Sequence, residues 1–157
     1  FNQKTASELL TSLGGSELCI RASNDPANLA RALQLLAQQG LITLKGGIDP
    51  LRVGTRDVAE NPRKLRFVPV EAAQLPRTVG DATLAIVPGN YATAAGLDFT
   101  RALTLEKPPV AYQQVVAVRQ ANQNAPWAQD LKKAFRSEAF RQALDQHFPG
   151  YVRPEGL

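Results

Sequence analysis

The sequence predicts an α/β lobe, a mostly parallel sheet flanked by helices. Three observations carry that expectation. Short apolar runs that read as strands alternate with stretches of helical spacing. Two of those runs, ending at Cys19-Ile20 and at Val87, pass through a tight turn straight into a helix. The second run, Thr83-Leu84-Ala85-Ile86-Val87, reads as a strand buried on both faces, as parallel strands are.

The first strand-to-helix unit, within Leu18 to Leu44, organises the chain. A strand over Glu17 to Ala22 leads into a helix over Asn24 to Gln39. Asp25 is a good N-cap, because its carboxylate can accept from first-turn amides, and Pro26 suits the first helical position. Leu29, Leu33 and Leu36 recur at helical spacing, and Gly40 supplies the left-handed residue that ends the run. A polar line remains: Asn24 in the loop, then Asn28 and Arg31 three residues apart. That spacing sets both side chains on one face near the helix N-terminus, where a small carboxylate can be held. An Arg31 paired to a nearby acid and an Asn28 that merely caps fit the stretch equally well.

The other elements follow in order. Thr5 to Ser12 reads as a short helix, broken by Gly14-Gly15. Leu41 to Leu44 is a short apolar run, and Ile48 to Val53 a loop or edge. Thr55 to Asn61 reads as a short helix with Thr55 as its cap, stopped by Asn61-Pro62. Leu65 to Val70 alternates like a strand, and Pro69 argues for an edge or terminal position. Glu71 to Leu75 begins a helical turn before Pro76. After the Asp81–Val87 strand comes Pro88-Gly89-Asn90-Tyr91 and an Ala-rich helix to Gly96. Here Asn90 reads as a cap or as a ligand contact. Gln113 and Gln114 lead into a strand over Val115 to Arg119. Pro126 starts a helix whose Trp127, Leu131 and Phe135 form an apolar stripe expected in the core. Ser137 starts another, with Phe140, Leu144 and Phe148 on its apolar face.

Totals narrow the functional classes. The chain has 157 residues, 44% hydrophobic and 20% charged, the composition of a globular protein with one good core. Eighteen basic against fourteen acidic residues leave +4, a mild excess. Apart from Arg63, Lys64 and Arg66 the basic residues are scattered, so no nucleic-acid surface is expected. No apolar run is long enough to span a membrane. Phe1-Asn2-Gln3-Lys4 does not read as the start of a signal peptide, so targeting information is expected outside these residues. A single cysteine, Cys19, excludes an internal disulfide and reads as a small buried hydrophobe. The single histidine, His147, excludes a multi-His metal site and sits near a helix C-terminus like a surface residue. No Walker loop, G-x-S-x-G turn, H-E-x-x-H or dinucleotide fingerprint is present. The expectation is a binding protein with no cofactor, not an enzyme. A use of Asn28, Arg31 and His147 in catalysis has nothing to join the histidine to the others.

A resemblance sharpens this. Ala22-Ser23-Asn24-Asp25-Pro26-Ala27-Asn28-Leu29-Ala30-Arg31-Ala32-Leu33 resembles the P-N-D-P-T-N-L-G-R-A-L block of the methionine-binding lipoproteins, the NLPA family of ABC-importer substrate-binding proteins. Gly40 to Lys45 is similar to their G-L-I-x-L-K, and Val58 to Leu65 to their I-x-E-N-P-K-x-L. Glu71 to Arg77 reads E-A-A-Q-L-P-R as theirs does. Gly89 to Leu97 resembles G-N-Y-A-x-x-A-G-L, and Val115 to Arg119 their strand V-I-A-V-R. The resemblance covers nearly the whole chain in the family's order.

It implies a type II periplasmic-binding-protein-like lobe, with the family's N-terminal lobe largely missing. Residues 1–108 would form the ligand-binding lobe, with 1–15 as a leading hinge-proximal segment. Residues 109–157 would be the return strand and the helices that pack on the first lobe. The implied function is binding of a small amino acid-like ligand, methionine or related, for delivery to an ABC permease. The implied place is the periplasmic side of the inner membrane, held there by a lipid anchor outside this chain. Asn28 and Arg31 match the family positions that hold the carboxylate, a contact suited to the arginine fork. Asn90 and Tyr91 match its N-Y turn. Gln114 stands where the family has an Asn for the amino acid head group, and Pro88 where it commonly has a polar residue. An exposed packing surface of the lobe would invite dimerisation, so a homodimer joins the expected partners. The alternative reading is the small-molecule-sensing domain of a transcriptional regulator with the same fold.

Overall fold

The computed structural model describes residues 18–108, 110–112 and 115–151, which fall into two compact units dividing between Thr104 and Leu105. The helix expected over Thr5 to Ser12 and the residue Gln114 lie outside the described residues.

The first unit is built around β1 (Cys19–Ser23), the centre of a three-stranded parallel sheet. On one side β1 pairs with β4 (Arg66–Val70), from Cys19 opposite Arg66 to Ser23 opposite Val70. On the other it pairs with β5 (Leu84–Ala85), Ile20 opposite Leu84. Pro69 can sit in β4 because, among the described residues, that strand is an edge and needs no second ladder. Helix α1 (Pro26–Gln38) starts as its sequence demands: the Asp25 carboxylate accepts from the Asn28 amide, and Pro26 follows the cap. Its apolar side, Ala30, Leu33 and Leu36, packs with Ile20, Leu18, Leu41, Ile42, Val53 and Leu65 into the core, and Phe67, Leu84 and Ile86 lie against it. Leu33 and Ile20 are fully buried. The chain crosses from β1 to β4 on one side and from β4 over β1 to β5 on the other. The right-handed rule for such crossovers therefore puts them on opposite faces of the sheet.

The two α-helices among the described residues of this unit end in the same way. After α1, Gly40 has φ +68°, its amide donates to the Ala37 carbonyl, and Leu41 donates to Leu36. After α2 (Gly89–Ala94), Gly96 repeats the conformation with bonds from Gly96 to Thr93 and Leu97 to Ala92. This is the Schellman arrangement, with buried Leu41 and Leu36 supplying its apolar contact. A Cβ at Gly40 would meet nothing within 4 Å, so only the backbone conformation resists substitution. Gly40→Ala should therefore cost about 1 kcal/mol, read as a lower urea midpoint. No loss would mean that the turn relaxes freely.

Several elements differ from expectation. Thr55–Asn61 is not a helix. A 3₁₀ turn over Thr55–Asp57 is followed by strand β3 (Val58–Glu60), antiparallel to β2 (Thr43–Leu44). The cap is Gly54, whose amide is bound by the Asp57 carboxylate, and not Thr55. The pairing of β3 with β2 is non-local and outweighs the weak helical pattern. Glu71 to Leu75 runs on as a 3₁₀ segment, Ala72–Thr78, with Pro76 inside it. The run Thr83 to Val87 is strand only at Leu84–Ala85, with the Ile86 amide still donating to the Arg21 carbonyl at 2.9 Å, and is partly exposed throughout. Its neighbour on one side is β1, and among the described residues no strand covers the other side. Cys19 is likewise only half-buried.

Past α2, Asp98 caps the 3₁₀ turn Phe99–Arg101. Its carboxylate accepts from the Thr100 hydroxyl at 2.6 Å and the Thr100 amide at 2.9 Å. These bonds, the hydroxyl first, with Arg101 adding, hold the Asp98 carboxyl below its usual range. A depressed folded value means that the turn is favoured at neutral pH, and that this contribution fades as pH falls through the folded value. Thr100→Val should raise the Asp98 titration toward that of an ordinary aspartate in a carboxyl-carbon NMR titration. An unmoved curve would remove the hydroxyl as the cause.

In the second unit, α3 (Pro126–Phe135) and α4 (Glu138–His147) form where Pro126 and Ser137 predict them, and the Ser137 hydroxyl accepts from the Phe140 amide. Phe135 and Phe140 meet edge to face at 4.9 Å. The apolar stripe is not core: Trp127 is 53% and Phe135 39% exposed, and only Ala128 of α3 is buried. Spacing identifies an apolar face without saying what covers it. Val115 to Arg119 forms no strand, since no ladder partner reaches it among the described residues, and Val115 is 83% exposed.

Candidate functional site

The register of the sheet brings the carboxyl ends of β1, β4 and β5 side by side. Each strand hands over to a helical turn there: Asn24-Asp25 into α1, Glu71 into Ala72–Thr78, and Pro88 into α2. Ligands of open α/β sheets collect at such an edge.

The Asn24-Asp25 corner is tightly held. The Asn24 amide donates to Val70 of β4 at 2.9 Å, which extends the ladder one residue beyond the strand. The Asp25 amide donates to the Ser23 hydroxyl at 3.1 Å, and Ser23 is the one buried polar residue among those described. The Asp25 carboxylate accepts from the Asn28 amide at 2.8 Å, and its carbonyl accepts from Leu29 at 2.8 Å. The Asn24 and Asp25 side chains are exposed, while Asn28 and Arg31 are half-buried.

On the first turns of α1, Arg31 Nη1 donates to Asn28 Oδ1 at 3.4 Å. With its oxygen toward the guanidinium, the Asn28 amide nitrogen is left as a donor. Arg31 is a cation in the second turn of a helix that has no basic residue in its last turn. The helix dipole favours cations at the other end, so helix stability does not explain this placement. Two neighbouring donor groups, one cationic, suit a carboxylate.

Asn90 lies in the first turn of α2 and is exposed. It is not the cap. That position is Pro88, which has no cap side chain to offer. The expected line Asn24, Asn28 and Arg31 thus sits on one corner of the sheet edge, with Asn90 on the neighbouring β5-to-α2 turn. Ser23 and the β4 exit were not singled out from the sequence. The Ser-x-Asp spacing is the signal that could have found Ser23, whereas the approach of β4 is non-local and leaves no local trace. His147 ends α4, in the other unit. Among the described residues, no three His, Cys, Asp or Glu side chains form a group that could hold a metal ion.

Parallel sheet, opposed crossovers and polar strand exits define a periplasmic-binding-protein-like lobe. The sequence profile of the NlpA lipoproteins matches residues 7–156, and the chain belongs to that family. It is 35% identical over 139 residues to the D-methionine-binding lipoprotein MetQ of Escherichia coli K12, covering 87% of this chain and 50% of that protein. It is 37% identical over 132 residues to outer membrane lipoprotein 3 of Mannheimia haemolytica, covering 83% and 50%. Among solved structures, it is similar to an ABC transporter periplasmic substrate-binding protein of Coxiella burnetii, with 40% identity and a TM-score of 0.74 over 88% of this chain and 58% of that one. It is also similar to a nutrient binding protein of Burkholderia cenocepacia bound to methionine, with 38% identity and a TM-score of 0.72 over 85% and 56%. The chain spans about half the length of these curated relatives.

Proposed function

We propose that this chain serves as ligand-gripping lobe of an ABC-importer substrate-binding lipoprotein. It takes a small amino acid-like ligand, methionine or a related compound, and delivers it to a permease at the periplasmic side of the inner membrane. The work is binding and release, with no bond made or broken. The observation that carries the reading is the Asn28–Arg31 pair on one face of α1, at the edge where three parallel strands end. The methionine bound in the Burkholderia relative supports the ligand class. Arg31 and Asn28 hold the carboxylate, Asn24 and Asn90 contribute from the adjoining turns, and Gln114 supplies an amide to the head group. Residues 1–108 act as the gripping lobe and 109–157 as the returning segment.

Calorimetric titration of the 157-residue chain with L-methionine, D-methionine and a panel of other amino acids tests this. Saturable heat with methionine or a close relative supports the reading. A flat response to the whole panel overturns it.

A further inference from the structure

We propose that the outer edge of β5 is an interface for a second copy of this chain. The copy pairs with it antiparallel about a twofold axis, and two three-stranded sheets join into one.

The two outer strands of the described sheet differ. In β4 the Arg66 amide donates to the Leu18 carbonyl, and the Val70 carbonyl accepts from the Asn24 amide, both toward β1. Backbone groups alternate along a strand, so Phe67 and Pro69 turn theirs outward. Pro69 has no N–H to offer there, and such a proline is one way in which sheets blunt an edge.

The β5 edge has no such device. The Ile86 amide donates to the Arg21 carbonyl at 2.9 Å, so Leu84 and Ile86 direct their backbone groups to β1. By the same alternation Ala85 and Val87 face away. Among the described residues no strand lies there to take their amides and carbonyls. Thr83-Leu84-Ala85-Ile86-Val87 carries no charge and no proline, so nothing in the run repels another strand. Pro88 comes next and favours an extended Val87.

The run is complementary to itself. Turned antiparallel with Ile86 on the twofold axis, it sets Ala85 opposite Val87 of the partner subunit, and Val87 opposite Ala85 of the partner subunit. Each outward amide and carbonyl then has a partner, about four hydrogen bonds in all. Leu84 and Ile86 already lie against the core, so the two Ile86 side chains meet on the face that each sheet covers. Each described sheet has one open edge and one blunted by Pro69. Association therefore closes at a dimer and does not grow into a fibre.

Sedimentation velocity of the 157-residue chain over a range of concentrations tests this, with Ala85→Pro as the variant. The Ala85 amide points away from β1, so a proline there copies Pro69 and spares the bonds of Leu84 and Ile86. The unsubstituted chain should run as a monomer–dimer equilibrium. In Ala85→Pro the dissociation constant should rise about a hundredfold or more, because the twofold axis removes the donor from both strands. Amide exchange followed by NMR in the unsubstituted chain decides the matter if that variant fails to fold. Ala85 and Val87 should gain protection as concentration rises, while Ile86 is protected throughout. A monomer at every concentration, a dimer that Ala85→Pro leaves intact, or protection of Ala85 and Val87 that ignores concentration would each overturn the assignment.

Discussion

Replacing Arg31 with alanine should lower affinity for the amino acid ligand more than about a hundredfold, because a fork of donors to the carboxylate disappears. Stability should barely change. The side chain is half-buried, and a cation near a helix N-terminus is not favoured by the dipole. Calorimetry and a urea titration on the same sample separate the two quantities. Arg31→Lys should fall between wild type and alanine, since it keeps the charge and loses the planar fork. Unchanged affinity in Arg31→Ala would remove Arg31 from the site. A large loss of stability would instead make it a structural residue.

Replacing Leu33 with alanine should destabilise the first unit by about 3 kcal/mol. Leu33 is fully buried where α1 meets β1, so the substitution leaves a cavity between helix and sheet. A domain of this size has a total stability of about 5–15 kcal/mol, so the loss would shift the urea midpoint plainly. Leu51→Ala is the control: Leu51 is 46% exposed, and its loss should stay within about 0.5 kcal/mol. A Leu33→Ala loss below 1 kcal/mol would mean that α1 is not what seals this core.

These two residues also mark how far a sequence can be read. Helix α1 was legible because each of its signals is local: the Asp25 cap, Pro26, the leucine spacing and Gly40 act within a turn or two of one another. Arg31 and Asn28 were legible for the same reason, as neighbours on one helical face. Apart from the caps at Gly54 and Pro88, which lie one and two residues before the expected Thr55 and Asn90, the failures are non-local. Val58–Glu60 became a strand because β2 lies alongside, and the run Thr83 to Val87 stayed partly exposed because one side has no strand among the described residues. The stripe of Trp127 and Phe135 announced an apolar face and could not announce its burial.

By itself, then, the sequence determined the elements with local signals, the parallel α/β class and, through its motifs, the NlpA lipoprotein family. The tertiary structure decided which strand is central, that three strand exits share one edge, and that Asn24 is tied to β4 there. The division has a physical cause. Caps, helical spacing and glycine turns depend on residues a few positions apart, whereas strand order and the meeting of Ser23 with Val70 depend on hydrogen bonds between segments that folding alone brings together.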